Sequence, residues 1–221
     1  MHRILFLFSF LLAGIVYADS PLTSTDLTEG YEKDEMVQYA KASSGNLDNQ
    51  LLEFLLDDKN PLHRRLVVIN AVGWESGSSE SRTYDLLGAL SKQLSIELDM
   101  LLSYDTERLN TIVSSEIYLC LAYIAAMENH LESPDFLFEY LEIACQDKKI
   151  QKSFTAMAVI GLIRAQHFMD YDWCLVYEQT DILRQHKRNF KMDLSKKAYQ
   201  NIYEYMDLYA EYCDNEMDFE D

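Results

Sequence analysis

The chain has 221 residues, 48% hydrophobic and 25% charged, with seven Gly and three Pro. This is ordinary globular composition, and it excludes collagen, mucin and low-complexity disorder. Thirty-seven Asp and Glu against 19 Lys and Arg give a formal charge of -18, which repels nucleic-acid phosphates and anionic bilayers and favours a partner with a basic surface.

His2 and Arg3 precede an apolar run from Ile4 to Val16, and Val16-Tyr17-Ala18 carries residues that signal peptidase accepts. Residues 1–18 therefore read as a signal peptide cleaved before Asp19. The run is too short to cross a hydrocarbon core of about 30 Å, and acidic residues follow it where a stop-transfer flank would be cationic. The expectation is an exported, soluble mature chain from Asp19 with no stable membrane anchor. None of the nine Asn opens an Asn-X-Ser/Thr acceptor, which favours a bacterial periplasm over an extracellular location.

Apolar residues in the mature chain recur at spacings of three and four, and no strand pattern appears. The fold class is all-α, with residues 19–213 as a single helical domain and 214–221 as an acidic tail. Helices are predicted over Tyr31–Ala42, ended by Ser43-Ser44-Gly45, and over Leu47–Asp58. Asn60-Pro61 supplies a cap and a first-turn proline for a third, running to Trp74. After the polar stretch Glu75–Ser81, Leu86, Leu87, Leu90, Leu94, Leu98 and Leu101 mark one long helix or two short ones. Thr106–Asn129 is apolar on every side between Ile117 and Met127, as befits a helix surrounded by others. Ser133-Pro134-Asp135 starts a helix to Gln146. Phe154–Ile163, Asp172–His186 and Asp193–Cys213 complete the set.

Arg65–Gly73, Tyr118–Met127 and Thr155–Arg164 are similar to one another, each a buried helix before a more polar one. Their periodicity resembles a short, irregular HEAT-type stack of antiparallel hairpins. A nonrepetitive helical bundle fits the same spacing.

Four cysteines in an oxidising compartment match no zinc or CxxC motif. If Thr106–Asn129 and Pro134–Gln146 are antiparallel about Leu131, Cys120 and Cys145 lie at about the same level and can bridge. Burial as small hydrophobes is the other reading.

Gly73-Trp74-Glu75-Ser76-Gly77 lacks the spacing and the strand of a nucleophile elbow. His167, Asp170, Asp172 and Cys174 could be drawn as a metal site, but the two acids suit the start of the following helix better. No catalytic set, metal or cofactor is assigned.

Charge patterning is the more informative signal. Arg184, Lys187, Arg188, Lys191, Lys196 and Lys197 are followed by a stretch, from Ala198 to the end, without any Lys or Arg. On that last helix Tyr199, Tyr203, Glu204, Asp207, Glu211 and Tyr212 form a candidate partner-binding face, since acid and tyrosine together suit a basic protein surface. The competing reading makes Ala198, Ile202, Met206 and Tyr209 a core stripe and leaves the acids solvated.

The function expected from these features is a nonenzymatic protein that binds another protein, most concretely an inhibitor or immunity-type protein against a basic toxin or hydrolase of the cell envelope. An envelope adaptor with a helical-repeat groove is the alternative within binding proteins. A hydrolase using scattered Asp, Glu and His residues is the alternative among enzymes.

Overall fold

Capping side chains set most of the helix starts. In the computed structural model, which describes residues 20–75, 77, 81–102, 109, 111–129 and 135–213, the oxygens of Ser20, Asp34, Asp48, Ser81, Ser114, Asp147, Ser153, Asp172 and Ser195 each accept an N–H from a first helical turn. These bonds satisfy donors that have no intrahelical partner. The protein is all-helical. The helices are α1 Pro21–Ser24, α2 Glu35–Ala42, α3 Asn49–Leu56, α4 Leu62–Val72, α5 Arg82–Leu94, α6 Leu98–Leu102, α7 Ser115–Glu128, α8 Asp135–Cys145, α9 Lys148–Lys152, α10 Phe154–Phe168, α11 Trp173–Gln185 and α12 Lys196–Met206. A 3-10 turn over Lys187–Asn189 follows α11, and another over Asp207–Tyr212 follows α12.

The expected signal peptide, the turn about Leu131, the Ser133-Pro134 cap, Ser76 and the acidic tail lie outside the described residues. Two expected caps are corrected. Asn60 does not cap α4: its amide reaches back to the Phe54 carbonyl at 2.9 Å, and α4 begins after Pro61 without a side-chain cap. Asp193 does not start the last helix, because Ser195 takes that role. Its carboxylate instead accepts from the Thr155 N–H at 3.0 Å and the Thr155 hydroxyl at 2.9 Å, in the first turn of α10. The short helices α1 and α9 were not anticipated from periodicity, which needs more turns than they have.

Ile117 through Met127 of α7 are all buried, and so is most of α10. These two helices and α4 form the centre, and the three pack against one another pairwise. In a regular linear repeat stack each unit touches only its neighbours; here α4 and α10 touch directly, as in a helical bundle or an irregular stack. The amino-terminal segment is threaded into this centre. Leu22 and Leu27 are buried, each contributing about 1.5–3 kcal/mol of apolar burial. Asn70 of α4 accepts from the Leu27 N–H at 2.8 Å and donates to the Tyr123 hydroxyl at 3.0 Å, while Asn201 of α12 accepts from the Asp26 N–H at 2.6 Å.

α10 and α11 pair closely as an antiparallel hairpin, with Gly161 opposite Gln179. A methyl group on Gly161 would stand 2.7 Å from the Gln179 carbonyl oxygen. Gly161→Ala is therefore expected to destabilise the protein by about 1–3 kcal/mol through overpacking, against the roughly 1 kcal/mol that alanine gains in helix propensity. Urea unfolding measures the balance, and a raised midpoint would show that the hairpin can open at no cost.

Candidate functional site

The carboxy-terminal end is organised by Arg184. Its Nε and Nη2 donate to Asp181 Oδ1 at 2.9 and 2.6 Å, Nη1 to Asp207 Oδ2 at 3.0 Å, and Nη2 also to the Tyr177 hydroxyl at 2.8 Å. The guanidinium lies over the Tyr203 ring, 4.7 Å from its centroid. Burial alone raises the Asp181 carboxyl, but hydrogen bonds from Arg184, Gln185 and Tyr177 outweigh it and hold the group below the usual carboxylate range. One cation thereby ties α11 to the 3-10 turn that follows α12.

This arrangement divides the six residues expected to bind a partner. Tyr203 is core: it is buried, its hydroxyl donates to the Thr180 carbonyl at 3.0 Å, and burial pushes its phenol above the usual tyrosine range. Tyr199 is half-buried against Phe154 and Tyr203, at centroid distances of 5.3 and 4.8 Å. Asp207 spends charge on Arg184. Glu204, Glu211 and Tyr212 are exposed. Ala198, Ile202 and Met206 form the buried stripe, with Tyr209 partly buried beside it.

The exposed three have company that sequence reasoning missed. Tyr212 is 38% exposed and meets the ring of Trp173, itself 44% exposed, edge-on at 4.5 Å. Leu208, 62% exposed, lies between Glu204 and Glu211 on the outward side. The cause of this placement is a disulfide between Cys174 and Cys213, whose Cα atoms are 4.7 Å apart. Asp172 caps α11 beside them, and Asp170 and Tyr171 are exposed on the preceding turn. The result is a stapled face of aromatic and acidic side chains.

The expected Cys120–Cys145 bridge is corrected: both are free thiols. They face different neighbours. Cys120 is wholly buried near Arg65, and burial pushes its thiol up to about 11. Cys145 instead faces α10, where Arg164 Nη2 stands 3.7 Å from its sulfur.

The metal set drawn from the sequence disperses. His167 meets the rings of Phe138 and Phe168 edge-on and that of Tyr171 at a tilt, Asp172 is a cap, and Cys174 is in the disulfide. Among the described residues Cys174, Glu178 and Cys213 do cluster, but the two sulfurs are bonded to each other and Glu178 alone keeps a ligand atom. A groove of about 670 Å³ between α10 and α11 is lined in part by Arg164, Glu178, Asp181 and His186. Asp181, one of the two carboxylates among those residues, is hydrogen-bonded to Arg184. No protein-family model matches the chain, and no curated protein or solved structure does either.

Proposed function

We propose that this is an exported, soluble, nonenzymatic protein that binds a basic protein surface, as an inhibitor or immunity-type protein of the cell envelope does. The observation that carries this reading is the stapled face: Trp173 and Tyr212 offer rigid aromatic contact, Glu211 adjoins Tyr212 in the chain, and Glu204 is exposed on the preceding helix α12. Aromatic anchors bordered by charge are the composition of binding hot spots and their rims. A disulfide is chemistry that persists in oxidising compartments, which supports export to the periplasm and agrees with the leader-like segment 1–18.

The structure selects the variants for the test. Neutralising Asp207 would disturb the Arg184 cluster, whereas Glu204→Gln with Glu211→Gln removes exposed steering charge and leaves that cluster intact. The wild-type protein, immobilised on beads, is expected to retain a basic envelope protein at low salt and release it at high salt. The double variant is expected to associate more slowly and with a flatter salt dependence, because rim charges act mainly on the encounter rate. Wild-type kinetics in the double variant would move the binding face elsewhere, and capture that is insensitive to salt would remove the charged interface altogether.

A further inference from the structure

The acidic net charge conceals a basic island. α9 carries Lys148, Lys149 and Lys152, while the segment after α11 carries Lys187, Arg188 and Lys191. The two stretches are distant in sequence and meet in space at Lys152 and Lys191. The Lys191 N–H donates to the Lys152 carbonyl at 2.7 Å, and the Phe154 N–H donates to the Lys191 carbonyl at 3.0 Å, forming an isolated parallel bridge. All six cationic residues are exposed, and none forms an ion pair among the described residues. The acids flanking them in sequence accept hydrogen bonds, Asp147 from the Lys149 N–H at 2.6 Å and Asp193 from the Thr155 N–H and hydroxyl, so six cations stand against these two carboxylates.

Like charges at three- and four-residue spacing on α9, and across the bridge, repel one another in the isolated molecule. An anion from outside relieves that repulsion. The island also has an apolar tip, because Met192, next to Lys191, is 48% exposed, whereas Phe190 on the other side is half-buried against Phe154. A phosphate or a nucleic acid would use the cations and leave Met192 in water. A bilayer interface takes both, with headgroup phosphates for the lysines and the acyl boundary for the thioether. The chain's total charge does not forbid this contact. At about 0.15 M salt the screening length is about 8 Å, so a surface at contact senses the nearest cations more strongly than distant acids.

We propose that Lys148, Lys149, Lys152, Lys187, Arg188 and Lys191, with Met192, form a peripheral docking site for an anionic lipid surface. The contact is reversible and independent of the acidic face.

Co-sedimentation tests it with two kinds of vesicle, phosphatidylcholine alone and phosphatidylcholine mixed with an equal part of phosphatidylglycerol. The wild-type protein is expected to partition onto the mixed vesicles only and to be released at high salt. Lys149→Gln, Lys152→Gln and Lys191→Gln together are expected to weaken partitioning about 100-fold, at about five-fold per charge, with an unchanged far-ultraviolet spectrum because the side chains are exposed. Met192→Ala is expected to weaken it a few-fold further, and Glu204→Gln with Glu211→Gln to leave it no weaker. Equal partitioning onto both vesicles, or a triple variant that partitions like wild type, would overturn the proposal. Retention on duplex DNA as strong as on the mixed vesicles, combined with indifference of vesicle binding to Met192→Ala, would also overturn it by revealing a general polyanion site.

Discussion

Glu116→Ala is expected to lower folding stability by about 3 kcal/mol and the thermal midpoint by about 10 °C, at roughly 2–4 °C per kcal/mol for a domain of this size. The reason lies with its partner. The Arg65 side chain is 1% exposed, within the packed centre, and Glu116 is its only carboxylate partner among the described residues. Among the described residues its remaining bond is weak, from Nη1 to the Leu55 carbonyl at 3.3 Å, and Nε has no hydrogen-bond partner. Removing the carboxylate strands a guanidinium that cannot deprotonate, in a place where water reaches it poorly. Removing both charges is a different matter: Arg65→Met with Glu116→Leu is expected to recover most of the loss, since apolar replacement of a buried ion pair is often neutral or stabilising. Thermal unfolding of Arg65→Met, Glu116→Leu and the pair measures the coupling directly. If Glu116→Ala melts with wild-type stability, Arg65 has found water or another acceptor, and the pair does not support the centre.

The second large effect is expected from the disulfide. Replacing Cys174 and Cys213 by Ser opens a loop with a sequence separation of 39, worth about 4 kcal/mol on the chain-entropy account. Peptide mapping without reduction is expected to find these two residues joined and Cys120 and Cys145 as thiols. The functional effect should exceed the structural one. The Trp173–Tyr212 contact is held in place by the adjacent bond, so reduction is expected to weaken capture of the basic partner while the α4, α7 and α10 centre stays folded and the spectrum stays helical. Four modifiable thiols in the unfolded, unreduced protein would remove the bond from the structure and the staple from the binding face.

Secondary structure was accessible from sequence because its causes are local. The apolar spacing that marks α2, α3, α5 and α8, the near-uniform apolarity of α7 and α10, and the cap at Asp172 all act within a few residues of themselves. The candidate face was half accessible for the same reason. Spacing along α12 distinguishes the Ala198, Ile202, Met206 stripe from the outward Glu204, but it does not say that Tyr203 turns inward to reach Thr180 or that Asp207 answers Arg184. Those facts depend on α11, which is a separate stretch of chain.

By itself, the sequence determined that this chain is helical, where some of its helices begin or end, and which helices are surrounded, because hydrogen-bonding rings and capping bonds close over short separations. Only the tertiary structure decided which cysteines meet, that Asp193 serves α10, that Arg65 is buried against Glu116, and that Lys191 comes to lie beside Lys152 at the end of α9 in a chain of net charge -18. Each of these joins groups far apart along the chain. Their proximity is set by the packing of whole helices, and neither the spacing of residues nor the sum of their charges encodes it in a form that can be read locally.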